Sequence, residues 1–316
     1  MSQGAWARVV VATDFGGPEV LSVIDEQVPD PAAGQVRIAV RAAGVNPIDV
    51  KVYSGAFGTD RSQLPRHLGS EAAGVVTAVG SGVGGITVGD VVIAFRAPGA
   101  YASELLAPAE AIVAKPAALG WHGAAGLMLT GSTAVHTLTA TGVGAGETVL
   151  VHGGSGGVGL MVVQLARLRG ARVVATAGER NHELLRSLGA EPVLYGDGLA
   201  DRVRAAAPDG LDAAIDAVGT DEAMDVSLAL VQDRGRIATI ANFDRAPREG
   251  VRLLGNGPGA DPGQDIRDGA RPELARLAGS GRLRVVVAAA FGFDRAADAH
   301  RQVAGGHTTG KVVLVP

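Results

Sequence analysis

The stretch VLVHGGSGGVGLMVVQLA, Val149–Ala166, passes from an apolar run through five glycines in seven residues into a second apolar run. Val149–Val151 reads as a buried strand and Val158–Arg169 as an amphipathic helix with Arg167 and Arg169 near its end. Between them Gly154, Gly156 and Gly159 fit the spacing GxGxxG, with Ser155, Gly157 and Val158 in the open positions. Strand, tight turn and helix come in the order that a dinucleotide-binding βαβ unit requires. Glycines let the backbone approach a pyrophosphate closely, and the N–H groups that open the helix carry partial positive charge toward it. The plain alternative is a turn whose glycines serve only close packing. The complete βαβ setting favours the dinucleotide.

Which dinucleotide depends on the end of the next strand, in RVVATAGERNHE, 172–183. A carboxylate there would accept hydrogen bonds from the ribose 2′-OH of NAD, but the strand closes Ala175, Thr176, Ala177, Gly178. Arg180 and His182 follow, and both suit a 2′-phosphate, so the reading is NADP. The competing reading leaves Arg180 in solvent and swings Glu179 in to bind NAD.

Outward from this unit the chain keeps one rhythm. Apolar strands and helical patterns alternate through TVLVHG, VGLMVVQLARLRG, ARVVATA, HELLRSLGA, LDAAIDAVG, MDVSLALVQ and GRIATIA, which argues for a doubly wound parallel sheet. Before residue 123 the style is different. Short β-rich runs such as RVVVAT, QVRIAVRAAGV, EAAGVVTAVG and DVVIAF are separated by Pro and Gly clusters, as in a compact β-barrel. After Gly263 one helix, PELARLAGSG, and two β-like runs, RVVVAAAF and KVVLVP, complete the chain. The class is α/β, and the expected division is a mostly β domain over 1–123, a dinucleotide domain over 124–262, and a tail over 263–316 that rejoins the first.

Composition narrows the function. The chain has 316 residues with 47% hydrophobic, enough to bury a sizeable core. Twenty-eight basic and 32 acidic residues are mixed along its length, so no basic face invites nucleic acid. No apolar run approaches the roughly 18 to 20 residues that span a bilayer, and the start, MSQGAWARVV, lacks a signal-peptide layout, so no membrane is expected and the default location is cytoplasmic. Cysteine is absent, which removes disulfides, thiolate nucleophiles and every zinc site built on sulfur. Seven histidines without a GxSxG elbow give no legible hydrolase triad.

AAGVNPID at 42–49, LGSEAAGVV at 68–76, GDVV at 89–92, GAYAS at 99–103, LTGSTAVHTL at 129–138, HGGSGGVG at 152–159, DAVG at 216–219 and TTGKVVL at 308–314 occur in that order. Together they resemble the medium-chain dehydrogenase/reductase superfamily, in its zinc-free, zeta-crystallin-like quinone oxidoreductase branch, over nearly the whole chain. The resemblance implies a GroES-like, mostly β catalytic domain built from both chain ends, a Rossmann cofactor domain, and an active site in the cleft between them. Zinc-dependent members use Cys and a His in a GHE segment; here the triplet is Gly69, Ser70, Glu71, and His67 lies two residues early, where it reads as a loop histidine. Without a Lewis acid, alcohol oxidation is disfavoured and hydride donation to a quinone or an α,β-unsaturated carbonyl remains feasible.

The resemblance also implies the site. Asn46 and Asp49 would line the cleft beside the nicotinamide, Asn46 as an oxyanion donor and Asp49 as an orienting group, although Asn46-Pro47 is also a plain turn. Lys51 and Tyr53 follow as candidate donors of a proton or hydrogen bond. Quinone reductases of this kind tend to carry tyrosine where Lys51 stands, and plant alkenal reductases carry lysine, so the acceptor class stays open. Thr133 would open the helix linking the domains, near the nicotinamide, or serve only as an N-cap. Tyr195 would lie against the adenosine phosphate, or be an ordinary half-buried strand-end tyrosine. Val218, Gly219 and Asn242 end strands at the carboxyl edge of the sheet, where ligands bind. Lys311 would reach the cofactor from the tail, or be an exposed strand-start charge.

EGVRLLGNG reads as an exposed edge strand, Val251–Asn256, whose Leu253 and Leu254 invite pairing across a two-fold axis into a homodimer, unless the chain's own tail covers them. The functional expectation is an NADPH-dependent reductase of a quinone or enone. The alternatives are an NADPH-binding redox sensor or structural protein with little turnover, and a reductase of enoyl thioesters or biosynthetic double bonds. The acceptor would be shaped by the loop YSGAFGTDRSQLPRH.

Overall fold

Strands buried on both faces need helices above and below, and parallel pairing needs a long crossover between each pair. In the computed structural model, which describes residues 4–316, the second half of the chain meets both demands. Six strands run in the order Glu191–Val193, Arg172–Thr176, Thr148–His152, Ala213–Asp216, Ile237–Thr239, Arg252–Leu253, every neighbouring pair parallel. The order first runs outward from Thr148–His152, then returns to its other side with Ala213–Asp216. This reversal creates the switch point at which doubly wound folds bind ligands. Leu150, Val174, Ala214 and Ile237 are fully buried at the centre of the sheet.

The helix after the glycine loop spans Gly157–Leu168, and all of Gly159–Ala166 is buried. It is therefore an all-round core helix and not the amphipathic one expected; only its end, at Arg167 and Leu168, is exposed.

The first unit is organised by the long strand Gln35–Val45. It pairs antiparallel with Glu71–Val79, Glu104–Pro108 and the C-terminal strand Lys311–Val315, within a sheet that also holds Val91–Phe95, Ile112–Ala114 and Val287–Gly292. A smaller sheet joins Leu21–Val28, Ala5–Ala12 and Arg66–His67. The register Val312↔Val45 sets the start of the last strand beside the end of the first long one.

The chain divides into Met1–Leu129 with Ala275–Pro316, and Thr130–Leu274. Residues 263–274 thus stay with the second unit, where the sequence expectation had the tail leave at 263. Within that unit Arg267 Nη2 donates to Thr133 Oγ1 at 2.9 Å. The helices Leu199–Ala206, Gln264–Gly269 and Ala296–Ala304 and the short strand Glu191–Val193 are additional to the expected elements.

The edge strand also differs from expectation. Leu253 and Leu254 are buried within the single chain, and the outer side of the strand is taken by its own tail: Asp261 N–H donates to Leu253 O at 2.9 Å and Gly255 N–H donates to Asp261 O at 2.8 Å. The apolar edge that argued for a homodimer is therefore already covered. Among the described residues no helix is long and apolar enough to cross a membrane.

Candidate cofactor and active site

The glycine loop is a cradle that side chains would fill. A Cβ on Gly154 would stand 2.8 Å from Ala175 Cβ, and one on Gly159 would stand 2.2 Å from Gly153 O. The loop is tied to the neighbouring strand, Gly153 N–H donating to Thr176 Oγ1 at 3.1 Å and Gly154 N–H to Thr176 O at 2.9 Å. Gly156 caps the helix, and the first helical N–H groups, at Gly157, Val158 and Gly159, have no intrahelical partner by geometry. Ser155 Oγ accepts from Asn181 Nδ2 at 3.1 Å, which couples the loop to the segment that carries Arg180.

Arg180 is exposed on the turn Glu179–Asn181 just past the strand end, with Glu179 exposed beside it. Tyr195 lies across the same strand end, 51% exposed, its hydroxyl 3.7 Å from where a Cβ on Gly178 would sit, so it is more open than a half-buried strand-end tyrosine. His182 turns inward; its Nε2–H donates to Ala177 O at 3.2 Å, which removes that nitrogen from phosphate binding. Val218 is exposed at the carboxyl edge, Gly219 follows with φ +80°, and Asn242 is buried with its Oδ1 accepting from Arg245 N–H. Thr133 sits in the middle of the helix Met128–Ala140, not at its start, and its hydroxyl accepts from Arg267.

In the first unit the four catalytic candidates share one short helix, Pro47–Tyr53, and its cap, Asn46. Asp49 is buried, and its Oδ2 accepts from Asn46 N–H at 2.9 Å and from the Tyr101 hydroxyl at 2.7 Å. Burial pushes its carboxyl up to about 6, against the pull of those two donors. Its carboxylate thus ties Tyr101 to the start of the helix Pro47–Tyr53. Asn46 is buried too, and both hydrogens of its amide are engaged, with Gly44 O at 3.3 Å and Glu71 Oε1 at 3.0 Å. An oxyanion would have to displace one of these bonds.

Lys311 is the third member of that group. Its Nζ donates to Val45 O and Glu71 Oε1, each at 3.0 Å, and to Asn46 Oδ1, so its three donors are spent inside the first unit. It is neither an exposed charge nor directed to a cofactor. Glu71, the hub, is fully buried and its other oxygen accepts from Leu129 N–H at 2.8 Å.

Tyr53 is fully buried, its hydroxyl paired with His300 Nδ1 at 2.9 Å, and burial followed by the nearby Asp49 charge raises its pKa. That removes it as a proton donor to substrate. Lys51, on the same helix, is exposed. His67 is also exposed, with Nε2 at 2.7 Å from Glu26.

A family model described as the alcohol dehydrogenase GroES-like domain matches residues 32–142, and one described as a zinc-binding dehydrogenase matches 188–314. The two matches and the two folds define a medium-chain dehydrogenase/reductase. The chain is 35% identical over 320 residues to the NADPH-dependent alkenal/one oxidoreductase of Arabidopsis thaliana, across 97% of this chain and 78% of that protein. It is 32% identical over 328 residues to the quinone oxidoreductase of Mus musculus, across 98% and 97%. The solved quinone oxidoreductase of Escherichia coli, complexed with NADPH, is 28% identical with a TM-score of 0.85, covering 98% of this chain and 100% of that one. The protein belongs to the quinone oxidoreductase branch of that superfamily.

The zinc in one family description does not fit the residues present. The sequence has no cysteine, Ser70 holds the place of the ligating histidine, and a lysine ammonium already lies 3.0 Å from the Glu71 carboxylate.

Proposed function

We propose that the protein is an NADPH-dependent reductase that delivers hydride to a quinone or an α,β-unsaturated carbonyl without zinc. The observation that carries this reading is the cradle at Gly154 and Gly159, tied by Ser155–Asn181 to the turn that carries Arg180, after a strand whose last residues, Ala175–Gly178, include no carboxylate. When bound, the reduced nicotinamide supplies the hydride. The chain's residues hold it: the helix start faces the pyrophosphate, and Arg180 and the Tyr195 hydroxyl take the 2′-phosphate side, as anion recognition favours.

Negative charge that develops on the acceptor oxygen needs a positioned donor. Asn46 has both amide hydrogens committed and Tyr53 is sealed in the core, so the exposed Lys51 ammonium is the candidate that remains. Asp49 fixes the start of the helix that carries it. A lysine as donor suits an enone or alkenal oxygen, and the names of the plant and animal relatives support both acceptor classes.

The test is loss of NADPH absorbance with a panel of quinones, enals and enones. The expected result is oxidation with at least one class, sharply reduced in Lys51→Met. Tight NADPH binding with no turnover across the panel would overturn the proposal in favour of a cofactor-binding protein without this activity.

A further inference from the structure

At the carboxyl edge of the parallel sheet, two adjacent strands end in side chains that hold the next turns by their backbones. Asp216 Oδ1 accepts from Val218 N–H at 2.9 Å and from Gly219 N–H at 2.8 Å. Thr239 Oγ1 accepts from Ala241 N–H at 3.1 Å and from Asn242 N–H at 3.0 Å. The Thr239 hydroxyl in turn donates to Asp216 Oδ2 at 2.7 Å. Both residues are buried, at 1% and 0% exposure, so these bonds are shielded from water and their loss would not be repaired by it.

The two turns also touch. Gly219 has φ +80°, and a Cβ there would fall 2.8 Å from Ala241 Cβ, so only glycine lets Val218–Gly219 lie against Ala241–Asn242. One hydroxyl and one carboxylate thus fasten four consecutive-pair amides into a single surface. Its position follows from the strand order. The glycine loop follows the central strand Thr148–His152, and Arg180 and Tyr195 mark the adenosine half over the strands on one side. The other half of a dinucleotide must then lie over the strands on the other side, Ala213–Asp216 and Ile237–Thr239.

We infer that Asp216 and Thr239 are a positioning pair that shapes the nicotinamide side of the cofactor site, acting through the Val218–Gly219 and Ala241–Asn242 turns and not by touching the cofactor. This rests on the proposed NADPH binding. The pair sets the surface on which the nicotinamide lies, and has no part in the adenosine side.

Binding of two probes to the full chain separates these ideas: NADPH, and 2′,5′-ADP, which carries the adenosine 2′-phosphate but no nicotinamide. Thr239→Val keeps the shape and removes the hydroxyl, leaving two turn amides without an acceptor and Asp216 Oδ2 without a donor. Expected is a rise in the NADPH dissociation constant on the order of tenfold to a hundredfold, with 2′,5′-ADP unchanged. Thr239→Ser, which restores the hydroxyl, should return NADPH binding to near wild type. Asp216→Asn serves as a second variant, keeping the Oδ1 acceptor while breaking the Thr239 bond, and should show the same selective loss. Equal weakening of both probes, or no change in either, would overturn the inference while leaving the proposed function intact. A wild-type protein that binds 2′,5′-ADP but not NADPH, or neither, would overturn both.

Discussion

Replacing Lys311 by methionine tests whether Lys311, Glu71 and Asn46 act as one unit. The change keeps most of the side-chain volume and removes a charge whose side chain is 4% exposed, from a carboxylate partner that is 0% exposed. Glu71 would keep two donors, Asn46 Nδ2 and Leu129 N–H, but no counter-charge, while Val45 O and Asn46 Oδ1 would lose their ammonium donor. Breaking a buried ion pair by removing one partner costs about 3 to 5 kcal/mol, because the remaining charge stays buried. At roughly 2 to 4 °C per kcal/mol for a unit of this size, the unfolding midpoint should fall by about 6 to 20 °C. Glu71→Gln should also destabilise. The decisive variant is the double one, Glu71→Gln with Lys311→Met, which has no uncompensated charge and should be more stable than the sum of the two single losses by on the order of 1 to 3 kcal/mol. Scanning calorimetry of the four proteins gives the cycle. A single-variant shift of under about 2 °C, or strictly additive losses, would refute the coupled network.

Arg180→Ala should weaken NADPH on the order of tenfold to a hundredfold and leave NADH nearly unchanged, measured by fluorescence titration, since only the 2′-phosphate loses a charge-assisted bond. Asp49, whose carboxyl is pushed up to about 6 from 3.8, favours the folded state only while protonated; stability relative to Asp49→Asn should fall by about 3 kcal/mol as pH rises from 4 to 6 and then level off, in paired melts across that range. Tyr53→Phe should lower the melting temperature by the loss of its bond to His300 and leave kcat within twofold of wild type; a large loss of kcat with an unchanged melt would return Tyr53 to the active site.

The sheet of the second unit was legible because its strands are buried on both faces, so VLV at 149–151 and VVA at 173–175 appear as unbroken apolar runs, with a glycine loop between the first of them and its helix. The helix PIDVKVY shows a reading that the sequence did permit and that was missed. Lys51 and Tyr53 are two residues apart, which is roughly 200° around an α-helix, so they cannot both face a substrate. One is exposed and the other is core.

Glu71 was less accessible. Its only local signal is a lone acid at the head of the apolar strand Glu71–Val79, and its side-chain partners, Asn46 and Lys311, lie 25 and 240 residues away in sequence. The antiparallel register of the C-terminal strand brings them together, and no local pattern encodes that register. Asn181 is similar, since its role appears only when the Ser155 hydroxyl is seen opposite. For the edge strand the sequence offers both a pairing partner and cover by its own tail; its apolar residues favour the first, and the structure takes the second, because the ladder bonds of Asp261 come from a segment of glycine, proline and acid with no strand signature.

The central claim is direct hydride transfer from NADPH to an electron-poor double bond or quinone, and deuterium placed on the transferring position of the nicotinamide tests it. The account predicts that the wild-type protein carries the label into the β-carbon of a reduced enone, seen by mass spectrometry, with a slower rate than unlabelled NADPH and no effect of a strong chelator. Product that carries no label from the cofactor, or NADPH oxidised only when zinc is supplied, would contradict it.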